Sequence, residues 1–249
     1  MISVLIASLI GQGEWQPIFN GKNLDGWTAK IKGYDLGVNF ADTFRVEGGV
    51  LRVAYDRYGG KFEGRFGHLF YDKPVQDFRL RLEYRFVGEQ LPDAPSWAWR
   101  NSGVMIFGQD PKTMEKDQDF PVSCEVQLLG GAAEGDRPTA NVCTPGTHVV
   151  IDGKLVTQHC INSTSPTFRG DRWVKLEVEA RGGKVTHWVD GKEVFRYEGI
   201  QYDENDPLAQ KLMKGEKMIA QGTISLQSES HPVEFRGIEL KVLPPVTSR

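Results

Sequence analysis

Between Phe78 and Phe86 apolar and charged residues alternate without a break, with Phe78, Leu80, Leu82, Tyr84 and Phe86 on one parity and Arg79, Arg81, Glu83 and Arg85 on the other. A β-strand is the conformation that puts every second side chain on one side, so this stretch belongs in a sheet with one buried and one solvated face. Shorter alternating runs separated by turn signals recur along the chain, the pattern of a β-sandwich rather than of strands alternating with helices. Residues 173–180 and 185–189 read as a hairpin, and Asp190-Gly191 turns the second of these into residues 192–197. Asp152-Gly153 likewise folds residues 149–156 back on themselves. Near the carboxyl end Val233 and Phe235 share one parity while Ile238, Leu240 and Val242 share the other, and Gly237 at the switch predicts a β-bulge. Helical periodicity is confined to residues 208–217, and the charged segment 108–121, which has no apolar period, is expected as a surface loop near the site.

Three further stretches, residues 100–107, 124–129 and 223–229, combine an apolar parity with a polar one. Glu125 and Gln127 face together, opposite Val126 and Leu128; Ser225, Gln227 and Glu229 face together, opposite Ile224 and Leu226. Strands of this kind build a sheet with an oily back and a polar front, a surface suited to carbohydrate.

At 249 residues the chain suffices for one large all-β domain, expected over residues 14–245, with a tail at 246–249. A chain of this size buries roughly three quarters of its unfolded surface and needs neither metal nor disulfide merely to fold. The net charge of −3, without a basic patch, argues against nucleic acid. Residues 2–10 form an apolar run too short to span a bilayer, and no other stretch is apolar enough to do so. With the small residues Gly11 and Gly13 after it, segment 1–13 reads as an export signal; no Lys or Arg precedes the run, so the signal is expected to be truncated, and an amino-terminal strand is the alternative. An exported location follows.

The cysteines are Cys124, Cys143 and Cys160, with no C-x-x-C pair. Cys143 and Cys160 flank the turn at Asp152-Gly153 and are expected to form a disulfide in an exported chain, whereas Cys124, of opposite parity to Glu125, belongs in the core. His68, His148, His159 and His187 show no metal-binding spacing. The acidic run Asp203 to Asp206 offers calcium-type oxygen donors but no ligand pattern and reads as a solvated turn. The sequence requires no cofactor and leaves a metal undecided.

Several segments together resemble the 3-keto-disaccharide hydrolase family. Ile18-Phe19-Asn20-Gly21-Lys22-Asn23-Leu24-Asp25-Gly26-Trp27 is similar to its opening F-N-G-K-x-L-x-G-W, Phe44 to Leu51 to its next strand, and Asp77-Phe78 with Glu83 to its D-F-x-L-x-x-E strand. Asn101-Ser102-Gly103, Glu125-Val126-Gln127, Leu226-Gln227 and Val233 to Ile238 then follow in the family's order. The resemblance implies a concanavalin A-like jelly-roll sandwich of two antiparallel sheets, export, and action on oxidised glycosides, with a sugar 3-oxidoreductase as pathway partner. Two departures lie at the expected cleft: the insertion Trp97-Ala98-Trp99, and Ser228-Glu229-Ser230 between Gln227 and His231.

A ketone at C3 of a sugar acidifies the C2 proton, so a base can generate an enolate, the C1 substituent can leave by β-elimination, and water can add back. That chemistry requires one positioned base and donors for the enolate oxygen. Glu125 is the expected base, Arg100 and Arg236 the expected enolate stabilisers, and His231 the expected acid for the leaving oxygen. Asn101, Gln127, Gln227 and Glu229 are expected to bind sugar hydroxyls, and Trp97 and Trp99 to stack on a sugar face. In the bland alternative Glu125 is a structural carboxylate held by Arg100 or Arg236. A noncatalytic carbohydrate-binding module is the competing function. A laminarinase-type glucanase would need an E-x-D-x-x-E strand, and Glu125-Val126-Gln127-Leu128-Leu129-Gly130 lacks its second and third carboxylates.

Overall fold

The computed structural model describes residues 13–246; the proposed export segment, apart from Gly13, and the last three residues lie outside the described residues. In chain order the strands are β1 (Gln16–Pro17), β2 (Trp27–Ile31), β3 (Phe44–Glu47), β4 (Val50–Val53), β5 (Gly67–Tyr71), β6 (Phe78–Phe86), β7 (Asn101–Gly108), β8 (Cys124–Leu129) and β9 (Asn141–Cys143). They continue with β10 (Thr147–Ile151), β11 (Lys154–Val156), β12 (Cys160–Ile161), β13 (Val174–Arg181), β14 (Lys184–Val189), β15 (Lys192–Tyr202), β16 (Thr223–Ser228) and β17 (Val233–Val242). These strands pair antiparallel in two sheets, one of ten strands ordered β11-β10-β15-β14-β13-β6-β17-β4-β3 with β1 against β17, and one of seven ordered β12-β9-β8-β7-β16-β5-β2. This is the expected all-β sandwich.

The sandwich exists because the alternating strands bury one face each. Phe78, Leu80, Leu82, Tyr84 and Phe86 of β6 are all 3% exposed or less, and they meet Val104, Ile106, Val126, Leu128, Ile224 and Leu226 of the seven-stranded sheet in one core. Each such side chain stabilises the fold by about 1.5–3 kcal/mol relative to leaving it in water. Cys124 joins that core, and its thiol meets the Tyr197 hydroxyl at 3.2 Å.

Local chemistry places the turns where the dipeptides predict them. Asp152-Gly153 and Asp190-Gly191 both adopt positive φ, the conformation that a two-residue type I′ turn requires. The register of β17 on β6 shifts between Arg236 and Glu239, with Gly237 at φ 59°, which is the expected bulge. The helix is shorter than its periodicity suggests: α1 (Pro207–Met213) ends where Lys214 turns left-handed. Asp206 caps its first turn, accepting from the Leu208 and Ala209 N–H groups.

The outer face of the ten-stranded sheet carries a ladder of ion pairs, Arg81–Glu239 at 2.6 Å, Arg85–Glu234 at 2.7 Å and Arg236–Glu83 at 2.5 Å. Arg236 therefore belongs to this surface and not to the cleft, contrary to the sequence expectation: its guanidinium lies 4.1 Å from the Trp173 ring centroid, on the sheet opposite Glu125.

Candidate active site

β8, β7 and β16 are neighbours in the seven-stranded sheet, and outward-facing residues of β7 and β8 floor a pocket of about 390 Å³. The register sets Met105 beside Glu125, Gly103 beside Gln127, and Ser225 on the other flank of Met105. Gly103 leaves a gap in this floor, and the Glu125 side chain lies across it: a Cβ at Gly103 would stand 2.5 Å from Glu125 Oε1 and 2.8 Å from its Cγ. No larger residue fits there without displacing the carboxylate.

Glu229 reaches the same pocket from the end of β16. The chain bends sharply after it, with Ser230 at φ 93°, a conformation that a non-glycine residue holds only when its surroundings enforce it. Here the Ser230 N–H donates to the Tyr55 hydroxyl at 2.8 Å, and the Gln90 amide donates to Ser230 Oγ at 2.9 Å.

Glu125 is 7% exposed and Glu229 3%. Burial pushes the Glu125 carboxyl up to about 8. Burial raises Glu229 well above the usual carboxylate range, the Glu125 charge raises it further, and Arg137 opposes both. Burial of both carboxyls at one pocket, with the Glu125 charge acting on Glu229, favours keeping a proton on the pair.

The cation of the pocket is Arg137. Its Nη1 donates to the carbonyls of Gly130 at 2.7 Å and Arg100 at 3.2 Å, and its guanidinium lies 5.5 Å from the Trp99 ring centroid. Trp97, 53% exposed and stacked on Phe66 with centroids 5.8 Å apart, forms one wall. The Cys143–Cys160 disulfide, which joins directly paired residues of β9 and β12, forms part of another. Phe120, Leu129, Pro145 and His159 complete the lining.

Of the residues expected at the site, Trp97, Asn101, Glu125, Gln127 and Glu229 line the pocket. Gln127 Oε1 accepts from Asn141 Nδ2 at 3.0 Å, which fixes its amide. Arg100, Trp99, Gln227 and His231 do not line it. Arg100 is spent on structure: it donates to Gly170 O at 2.7 Å and pairs with Asp171 at 3.1 Å. Trp99 lies beneath the guanidinium groups of Arg100 and Arg137. Gln227 is fully buried beside the pocket. His231 packs between Phe86 and Trp99, and burial, followed by the Arg100 charge, pushes its imidazole down to about 4, so it is neutral at pH 7 and unsuited to act as an imidazolium acid.

Sequence reading missed Arg137, Phe120 and His159. Arg137 sits in an aperiodic loop after β8, and no local signal marks it. Among the described residues, no three His, Cys, Asp or Glu side chains gather into a set that could hold a metal. Asp203 and Asp206 serve their own turn and the helix cap.

Solved structures share this β-sandwich architecture. Two candidate glycosyl hydrolases from Parabacteroides distasonis are 17% and 18% identical, with TM-scores of 0.52 and 0.55; each alignment covers 92% of this chain, and they cover 94% and 100% of those proteins. A Bacillus subtilis protein of unknown function with a galectin-like fold is 10% identical with a TM-score of 0.56, covering 94% of this chain and 98% of its own. At these identities the likeness establishes the sandwich fold. No curated protein matches the chain. The chain belongs to the 3-keto-alpha-glucoside-1,2-lyase-like family, whose profile matches residues 14–241.

Proposed function

We propose that this protein cleaves the glycosidic bond of 3-keto-glycosides by elimination across C1–C2 followed by hydration. The observation that carries the reading is the buried Glu125–Glu229 pair, facing one pocket beside Arg137. A carboxylate raised toward 8 is matched to taking an activated carbon-bound proton near neutral pH. Glu125, braced across Gly103, takes the C2 proton in its ionised form, whose share grows as pH rises toward 8; Arg137 offsets the charge developing on the C3 oxygen. Protonated Glu229 gives its proton to the departing C1 oxygen, the role that His231 cannot fill. Trp97 offers an exposed ring for stacking, and Gln127 and Asn101 offer hydrogen-bonding groups to the hydroxyls.

The substrate must carry a ketone at C3, so an oxidoreductase acting on that carbon precedes this step. The Cys143–Cys160 disulfide supports an oxidising, exported location.

The test is sugar release from 3-keto-trehalose or a 3-keto-glucoside, with the unoxidised glycoside as control. Release from the ketone alone, abolished in Glu125→Gln with binding retained, is the expected outcome. The control is essential because paired carboxyls are also the equipment of ordinary glycosidases; equal release from both substrates, or from neither, would sink the proposal. Turnover by neither wild type nor variant, with sugar bound by both, would instead favour a binding module.

A further inference from the structure

Beside the pocket, the outward face of the seven-stranded sheet carries polar groups that the proposed reaction leaves unused. The register pairs Gln227 with His68 and His68 with Lys30 across β16, β5 and β2. Continuing the pairing of Ser225 with Met105 and of Leu226 with Val104 brings Gln227 beside Gly103. A polar row thus crosses the sheet from Gln127, over the Gly103 gap, to Gln227 and His68. Lys30 closes the row, its ammonium donating to the carbonyls of Ile31, Tyr34 and Lys116.

The loop between β7 and β8 covers the His68–Lys30 end of this row. Phe120 packs edge-on against His68, with centroids 6.0 Å apart, while also lining the open pocket. Gln227 and His68 in the row, and Ser225 in the row beside it, are all 0% exposed. Yet the Ser225 hydroxyl, both polar atoms of the Gln227 amide and both ring nitrogens of His68 have no hydrogen-bond partner among the described residues, and the same holds for Glu229 Oε2 at the pocket end. Native interiors rarely leave such a concentration of donors and acceptors unsatisfied. Burial, and then the Lys30 charge, push the His68 imidazole down to about 3, so its neutral ring offers one donor and one acceptor. The small molecule that satisfies amide, hydroxyl and neutral imidazole together is water.

We propose that the covered row of Gln227 and His68, with Ser225 in the adjoining row, holds ordered water and supplies the molecule that hydrates the elimination product. The proposal rests on the elimination reading above. Glu125 lies at the junction of the row and the pocket, over Gly103. After elimination Glu125 is protonated and Glu229 ionised. Water attacks C1, losing its proton to Glu229; the C1=C2 electron pair moves to C2, which takes the proton back from Glu125. Both carboxyls return to their starting states, and no other reactant is needed.

Two measurements test this. A high-resolution crystal structure of the unliganded wild type is expected to show solvent density within hydrogen-bonding distance of Gln227 and His68; a dry, collapsed row there overturns the proposal, whatever the variants do. In His68→Leu and the milder Ser225→Ala, the ratio of unsaturated ketone to hydrated 3-keto sugar is expected to rise at least about ten-fold over wild type, the loss of roughly one hydrogen bond's stabilisation of the hydration step. Folded variants with the wild-type ratio overturn the water's role while leaving elimination intact. A wild type that cleaves no 3-keto-glycoside at all overturns the parent reading instead, and the catalytic half of this proposal with it.

Discussion

Glu125 owes its chemistry to its surroundings rather than to its type. Its carboxyl has an ordinary value of 4.5 and is raised to about 8 by burial, so the folded state holds a proton that the unfolded chain has released. The associated stability is fully present below pH 4.5 and is lost as pH rises toward 8. Glu125→Gln removes this penalty: its melting temperature should match wild type near pH 4 and exceed it by several degrees at pH 8, about 2–4 °C for each kcal/mol. A constant difference across that range would show that the carboxyl is not held neutral. Gly103→Ala tests the same geometry from the other side. Its Cβ would collide with Glu125 Oε1, so turnover should fall steeply while the fold survives at a cost of about 1–3 kcal/mol. Strand parity alone revealed that Glu125 and Gln127 share a face. Parity could not reveal that Glu229 and Arg137 converge on the same pocket as Glu125, because Arg137 is positioned by the carbonyls of Gly130 and Arg100, in an aperiodic loop.

At the scale of elements, the weakest part of the site is β12, two residues long at the edge of the seven-stranded sheet. It pairs with β9, and the disulfide between Cys143 and Cys160 fastens it there, keeping His159 and Cys160 in the pocket wall. A sequence separation of 17 corresponds to roughly 3 kcal/mol in the chain-entropy account. Replacing both cysteines with serine should lower the melting temperature and raise KM for the keto-glycoside more than it lowers kcat; an unchanged KM would mean that β12 holds its place unaided. Turn chemistry made these hairpins legible, since Asp152-Gly153 and Asp190-Gly191 specify their own geometry. The loop between β7 and β8 was legible only as a loop near the site. Its folding over the sheet depends on the buried Gln109 and Gln118 side chains, with Gln118 Nε2 donating to Gln109 Oε1 at 2.8 Å and to Phe120 O at 2.7 Å.

For the whole molecule, the decisive fact is that two sheets present two unlike outer faces. Arg236 belongs to the charged face of the ten-stranded sheet and Arg137 to the pocket on the other. Arg236→Met should therefore leave kcat/KM unchanged and cost no more than about 1 kcal/mol of stability, as expected for an exposed pair. Arg137→Met should abolish most turnover in a folded protein; the reverse ranking in a paired kinetic assay would put the reaction on the wrong face. The alternation of β6, the turn dipeptides and the polar parities of β7, β8 and β16 determined by themselves that the chain is an antiparallel sandwich with a polar front, because side-chain direction in a strand is a local property of the backbone. Which polar residues share one pocket was decided by the tertiary structure alone. Burial, proximity and the company of other charges arise between segments far apart in the chain, and these forces make Glu125 and Glu229 a pair while directing Arg100, His231 and Arg236 to structural duties.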